Sequence, residues 1–451
     1  MTSIGTHKGR SPMTYCLMRP FMHRIAKNMA HLCIRLALST VAGMVAVRIV
    51  LDGLGVEGYG TYAAVFGVVS TFATLNGMLE NASRRFLSHE MALNGDNGLE
   101  RMFNVVLTAA GVFATAVILL GETAGLYFAK RVLDIPQSAA GSAEVVFHAG
   151  ILTMAIRTMQ IPFAALITSG ERMSFFSRLG ILEAFGTIAA AFTAYAGLRV
   201  FAVALIVPTL AIFAVHVAFC RRRFPCVHMR VSRDWGHFME LGAFLSWGTL
   251  GSVGNILKYQ GTSIVINVCA GVAFSASWKI AIGAWSMLYA LCTSFQQAFS
   301  PTVFKAWTER TGGEFARLAR KTTLVSFLIA GMPAGILFVF TEKFLALWLG
   351  ETSAPQLVEF VRCSLVNLVF DAISCPLTAA IDASGKVARY QIVTSSLSLL
   401  ALLASCALLA GGMPPWTAMG AVAACNGMAC AYRFLHVRAL VRGGGAGLPS
   451  S

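Results

Sequence analysis

The chain has 451 residues, of which 57% are hydrophobic and only 12% charged, with a mean hydropathy of +0.70. Soluble domains carry about 45–50% apolar and about 25% charged residues, so the composition excludes a water-soluble globular protein and points to an integral membrane protein. A formal charge of +15 would in a soluble protein suggest a nucleic-acid surface, so the location of the Lys and Arg has to be settled first.

A membrane-spanning helix needs about 20 mostly apolar residues. Such runs lie near 31–51, 60–81, 102–128, 145–168, 179–197, 200–220, 239–266, 271–299, 322–341, 357–381, 391–410 and 416–436. This pattern predicts an all-α polytopic membrane protein of about 12 transmembrane helices. The first run is full length and follows a basic segment, so it reads as an anchor rather than a cleaved signal peptide. The eleven Cys are scattered, mostly within apolar runs and without a CxxC pair, which indicates neither a disulfide framework nor a metal site.

Lys and Arg near span ends are retained on the cytoplasmic side. Of the 35 basic residues, 25 fall in the terminal segments and alternate loops on one side, including Arg84, Arg85, Arg221 to Arg223, Arg230, Arg233 and Arg433. Only Lys130, Arg131, Arg199 and Lys343 fall on the other. Both termini are therefore expected in the cytoplasm. Topology accounts for the basic excess, and no nucleic-acid partner is expected.

The second half repeats the first at a nearly constant offset. Pro162-Phe-Ala-Ala-Leu-Ile-Thr-Ser-Gly170 returns as Pro376-Leu-Thr-Ala-Ala-Ile-Asp-Ala-Ser-Gly385, and Gly67, Ser70, Thr74, Gly77, Asn81 return as Gly283, Ser286, Ala290, Thr293, Gln297. Six spans per half give both repeats the same orientation, with an axis along the membrane normal. The expected organisation is a basic segment (1–27), an N-lobe (28–220), a basic linker (221–238), a C-lobe (239–436) and a tail (437–451). These are two pseudo-symmetric six-helix lobes.

Six basic residues remain inside the spans: Arg35, Arg48, Arg157, Lys258, Lys279 and Arg362. A cation at helix centre costs about 2.5–3.5 kcal/mol on insertion scales, so such groups face a bundle interior or a wet cavity unless they can snorkel. Arg35 and Arg48 lie near opposite ends of the first span, and Arg362 and Lys279 within two turns of the outer face. Arg157 and Lys258 are too deep for easy escape. Asn81, Asn255 and Gln297 belong to the polar faces beside them. The polar stripes have two readings, close helix packing or a cavity wall. The intramembrane acids Glu80, Glu183 and Asp371 are candidates for gating or ion coupling. Arg157 and Asp371 are repeat equivalents, separated along the chain just as Pro162 is from Pro376. They are expected to pair across the pseudo-twofold axis in one conformation, the alternative being a pair within one lobe such as Arg157 with Glu183. Single His31, His148 and His216 read as packing residues. No phosphate-loop motif or room for an extramembrane catalytic domain is present, so neither ATP hydrolysis nor any other enzyme activity is expected, and no cofactor or metal.

The stretch Val47-Arg48-Ile-Val-Leu-Asp52-Gly-Leu-Gly55-Val-Glu-Gly-Tyr59-Gly-Thr-Tyr62, with Leu75-Asn76-Gly77 and Arg85-Phe86-Leu87-Ser88-His89-Glu90, resembles the opening of Wzx-type lipopolysaccharide or O-antigen flippases. The segment from Pro376 to Gly385-Lys386 and Arg389-Tyr390-Gln391 is similar to the tenth span and following loop of that family. These flippases belong to the multidrug/oligosaccharidyl-lipid/polysaccharide exporter superfamily. The resemblance implies two lobes that rock about a central cavity in the bacterial inner membrane. It implies as substrate an undecaprenyl-pyrophosphate-linked oligosaccharide, an anionic lipid-linked glycan whose pyrophosphate the cavity cations would hold. Polysaccharide polymerase or assembly proteins would be partners, and the chain would act as a monomer. Asp382 departs from the family pattern, where a neutral polar residue is usual, and is expected to pair with Lys386. The alternatives are a cation-coupled multidrug exporter on the same fold, which needs an acidic cavity, and a membrane glycan polymerase or ligase, which needs a long outer loop.

Overall fold

The computed structural model describes the backbone of residues 12–170, 172–308, 312–350, 354–384 and 387–443. Side chains are described from residue 35 onward, apart from 37, 74–75, 92–94, 171, 243–252, 294, 297–302, 304–314, 351–353, 383, 385–388 and 442–451. Every regular element among these residues is a helix. That is the outcome lipid dictates, because a helix satisfies its backbone polar groups internally where no water is available. One long helical run is broken at Gly55 (φ 69°) and Gly95 (φ 59°), giving α1 (12–54), α2 (56–94) and α3 (96–131). There follow α4 (Ala140–Ser169), α5 (Met173–Phe192), α6 (Leu198–Arg223), α7 (235–270), α8 (Val272–Thr308) and α9 (312–339). A short helix, Thr341–Leu349, precedes α10 (Leu357–Ala383), α11 (Val387–Ala410) and α12 (Thr417–Gly443). Each predicted span lies on one of these twelve helices, and eight helical stretches among the described residues are long and apolar enough to cross a membrane.

The repeat is visible in the backbone. Left-handed glycines end the first helix of each lobe at Gly55 and Gly271 (φ 88°), and the fifth at Gly197 (φ 106°) and Gly412 (φ 74°). Both pairs keep the offset of the sequence repeat, and only glycine adopts such angles without strain. Pro162 and Pro376 both sit inside helices, α4 and α10, where a proline removes one helical hydrogen bond.

The two lobes are joined at one end. We call the end holding the 224–234 linker the basic end and its opposite the far end. At the far end one core cluster takes Val50, Leu51 and Tyr59 from α1 and α2, Phe201 from α6, Trp278 and Ile280 from α8, and Phe360 from α10. Lobe-to-lobe hydrogen bonds are found there too. Asn267 Oδ1 accepts from the Asp134 N–H (2.9 Å) while its Nδ2 donates to the Asp134 carbonyl (3.3 Å), and Trp348 Nε1 donates to the Met44 carbonyl (2.9 Å). At Gly60, α2 passes so close to α8 that a Cβ would lie 2.0 Å from the Val272 carbonyl oxygen. At the basic end the cores formed by the described residues are separate. Leu87, Phe103 and Leu166 anchor the N-lobe cluster and Phe315, Ile381 and Tyr390 the C-lobe cluster. Among the described residues, the root of α7 crosses over, through Leu241 and Phe238.

The linker is not a loose tether. The N–H groups of His228, Arg230 and Ser232 donate to Glu100 Oε1 (3.2 Å), Asn104 Oδ1 (2.8 Å) and Thr108 Oγ1 (2.9 Å), three acceptors one turn apart on α3. Two residues of extended chain advance about 6.6 Å and four of helix about 6 Å, so the two registers match along the contact. Asp234 then caps α7, accepting from the His237 N–H, and pairs with Arg101 of α3 (2.5 Å). Hydrogen bonds from His237 and Arg101 hold its carboxyl down to about 2.

Candidate functional site

The N-lobe holds a cavity of about 580 Å³ between α1, α2, α4, α5 and α6, lined by Arg35, Asn76, Glu80, Arg157, Glu183 and His216 among others. The small residues of the α2 stripe divide their work. Gly67 packs against Ser263 of α7, with 3.3 Å from a notional Cβ to Oγ, whereas Gly77 opens on the cavity. Both anticipated readings of the stripe therefore hold, at different depths. The cavity is polar and both of its carboxylates are paired. Arg157 Nη2 lies 2.6 Å from Glu183 Oε1, and Glu80 pairs with Arg84 one turn on. Arg35 stacks over Phe176, 4.8 Å from the ring centroid, and occupies the space that a Cβ at Gly180 would need. Thr158 donates to Asn76 Oδ1 (2.8 Å). His216, read from sequence as a packing residue, lines the wall. Its Nδ1 lies 2.9 Å from the Ile212 carbonyl, and its buried Nε2 has no hydrogen-bond partner among the described residues.

The C-lobe centres on Asp371. Its carboxylate accepts from Trp285 Nε1 (2.8 Å), Asn426 Nδ2 (2.7 Å) and Asn367 Nδ2 (3.3 Å). Trp285 stacks on Tyr289, ring centroids 4.8 Å apart, and lies 5.0 Å from the Tyr259 ring. Beside this network a polar pocket of about 90 Å³ opens between α7, α11 and α12, lined by Asn255, Lys258, Thr394, Ser398, Asn426 and Arg433 among others. Lys258 is only 8% exposed and sits in a π-turn, Leu257–Gly261, the kind of widened turn often found at functional sites.

Arg157 and Asp371, the repeat equivalents expected to pair with each other, do not do so here. Each is satisfied within its own lobe, Arg157 by Glu183 and Asp371 by three neutral donors, because the nearest partner avoids carrying a bare charge across the lobe interface. Of the remaining expected site residues, Arg35 and the gating candidates Glu80 and Glu183 line the N-lobe cavity and Asn255 and Lys258 the C-lobe pocket. Two cations lie elsewhere. Arg48 donates to the Leu347 carbonyl (3.3 Å) and Arg362 pairs with Glu342 (3.1 Å), both at the far end and outside either cavity. Their long side chains reach polar partners at the helix ends. Lys279 lies over the Phe66 ring (5.2 Å), across the lobe interface, and Asn81 is exposed and lines neither cavity. The side chain of Gln297 and the Asp382 partner Lys386 lie outside the described residues. Arg433, counted from sequence as a topology charge, turns inward instead, its Nε donating to Tyr390 Oη (3.2 Å) and Nη1 to Ser374 Oγ (3.1 Å).

The fold is that of MATE transporters of the MOP superfamily. A solved inward-facing conformation of a multidrug resistance MATE family transporter superposes with a TM-score of 0.75 over 92% of this chain and 98% of that one, at 13% identity. An outward-facing conformation gives 0.67 over 93% and 97%, at 14% identity. A MOP superfamily transporter from Pyrococcus furiosus, described as having a binding pocket of reverse polarity that suggests a different function, gives 0.68 over 93% and 97%, at 14% identity. Among curated proteins, the uncharacterized membrane protein EpsK of Bacillus subtilis (strain 168) is 20% identical over 332 residues, 71% of this chain and 65% of that protein's length. No protein-family model matches the chain.

Proposed function

We propose that the chain is a non-enzymatic flippase that moves an undecaprenyl-pyrophosphate-linked oligosaccharide across the bacterial inner membrane by alternating access. One observation carries this reading. The carboxylates at the two cavities, Glu80, Glu183 and Asp371, are all engaged by donors, while the buried cation Lys258 has no hydrogen-bond or ion-pair partner among the described residues. A cationic drug would find no free acid, whereas an anion finds a free ammonium group. The N-lobe cavity, with its amides, hydroxyls and paired carboxylates, suits a polyhydroxylated chain. The reverse-polarity pocket described for the Pyrococcus furiosus transporter is a precedent on the same fold for a change of pocket polarity and function.

In this reading the basic end faces the cytoplasm, by the charge asymmetry of the loops. A shared core at the far end and separate cores at the basic end then describe a cavity accessible from the cytoplasm, where lipid-linked glycans are made. The test is reconstitution in liposomes with a fluorescent lipid-linked oligosaccharide and a leaflet-accessibility assay. Acceleration of its exchange between leaflets is expected. Liposomes as slow as protein-free ones, in a preparation that instead drives ethidium efflux, would establish the multidrug alternative.

A further inference from the structure

We infer that two apolar grooves flanking the linker on α3 seat an anionic phospholipid, one acyl chain in each, with its phosphate held by Arg230 and Arg233. What the protein transports does not enter.

The linker marks the level of the lipid headgroups. Its extended backbone could not lie open to hydrocarbon. From Thr108, where Ser232 is fastened, to Lys130 near the other end of α3, the helix rises about 33 Å, close to the ~30 Å of a hydrocarbon core. Trp235, 78% exposed, lies at the same level, where amphipathic rings are favoured.

The grooves run from this level into the membrane. One, of about 720 Å³, lies between α2, α3 and α7, walled by Met78, Phe113, Phe238 and Leu241. The other, of about 760 Å³, lies between α3 and α4 and passes Gly111, Leu119 and Met159. From Leu107 to Leu119 the second follows α3 for about 18 Å, enough for the ~15 Å depth of one leaflet. Thr108, Val112 and Ala116 line both grooves, so these residues, one turn apart, form a ridge between them. Two grooves meeting on one ridge match a lipid whose two chains join at one head, which a single isoprenyl chain does not. The first groove is walled by α2 and α3 of the N-lobe and by α7 of the C-lobe, so its occupant touches both lobes at the foot of α7.

Each groove carries one arginine at its head, Arg233 in the first and Arg230 in the second. Both are exposed, and neither guanidinium makes a hydrogen bond or ion pair with a described residue. The acids nearby are already engaged: Glu100 by His228, and Asp234 by Arg101 and His237. Glu240 is exposed and lines neither groove. Two unpaired cations at headgroup level select a lipid of net negative charge over a zwitterionic one, at about 1 kcal/mol, or fivefold, for each.

Native mass spectrometry of the full-length protein, stripped of lipid in detergent and titrated with single lipids, tests this. Phosphatidylglycerol should be retained about tenfold or more above phosphatidylcholine, and above the one-chain lysophosphatidylglycerol. Replacing both arginines, Arg230→Gln with Arg233→Gln, should abolish the preference, while Arg221→Gln, equally exposed but outside both grooves, should keep it. Gly111→Leu and Gly242→Leu fill the two grooves from within helices, at positions where a Cβ meets nothing within 4 Å. Each should weaken phosphatidylglycerol binding several-fold in a protein that still folds, since leucine favours helix over glycine. Equal retention of the two-chain lipids, a preference that survives loss of both arginines, or binding indifferent to filled grooves overturns the site. So does lysophosphatidylglycerol binding as tightly as its two-chain parent. Displacement of phosphatidylglycerol by an equal concentration of an isoprenyl pyrophosphate would overturn it too, by giving the grooves to a single-chain lipid.

Discussion

The two lobes share a backbone plan and treat the same position in opposite ways. At the repeat-equivalent sites the N-lobe carries Arg157 and the C-lobe Asp371. Arg157 is met by a single carboxylate on a cavity wall, with 43% of its side chain exposed to that space. Asp371 is met by three neutral donors, two amides and an indole, inside a packed aromatic and amide network. The N-lobe thus meets each cavity carboxylate with an arginine, while the C-lobe holds its carboxylate by neutral hydrogen bonds and leaves Lys258 without an ion pair among the described residues. Duplicated topology fixes where a polar group will lie and leaves its sign and partner open.

The largest effect should follow from removing each charge in turn. Asp371→Leu leaves Trp285, Asn367 and Asn426 without their acceptor and should cost about 3 kcal/mol or more, seen as a sharply lower Tm in detergent. Glu183→Leu should cost only about 1 kcal/mol, since Arg157 stays partly solvated. Equal losses would break the contrast between the lobes. Next is Gly60→Leu, which drives a side chain into the Val272 carbonyl across the far-end contact. Overpacking of that kind costs about 1–3 kcal/mol, so the lobe equilibrium should move about tenfold toward the far-end-open form. Spin labels at Arg131 and Lys343 should report the longer distance, and an unchanged distance distribution would remove Gly60 from the seal. Smaller still, Arg157→Glu and Glu183→Arg should each lower glycan export, and the double reversal should recover it, with a coupling of about 1 kcal/mol. Rescue of Arg157→Glu by Asp371→Arg instead would restore the cross-axis pairing.

The smallest effect concerns Asp234, whose carboxyl is held at about 2 by His237 and Arg101. A depressed carboxylate stabilises the fold above its unfolded value, about 3.9, and that contribution is lost as pH falls toward 2. Proteolytic nicking of the linker should therefore rise between about pH 4 and pH 2. The same window should be flat in Asp234→Asn.

Most of the architecture could be read from apolar runs, because a membrane helix must be apolar over its full length and its loops must not be. Gly55 and Gly271, one repeat apart, mark the same turn in both halves. The polar interior was harder. Whether Arg157 takes Glu183 or Asp371 depends on helix rotation, which apolar content does not report. Arg433 is arithmetically a topology charge near a helix end, and only the packing of α11 against α12 turns it toward Tyr390. The π-turn at Lys258 has no sequence signal, since no proline or left-handed glycine is required there.

The laced linker sets the mechanics of any rocking motion. With the His228, Arg230 and Ser232 amides fastened along α3 and Asp234 clasped by Arg101, the chain between the lobes has almost no free length. The C-lobe is therefore cantilevered from one fixed point at the foot of α7. It can pivot there, as a door turns on its post, but it cannot slide or draw away. An opening of a few degrees at that foot becomes its widest gap about 50 Å up α7, at the Asn267 latch and the Gly60 seal.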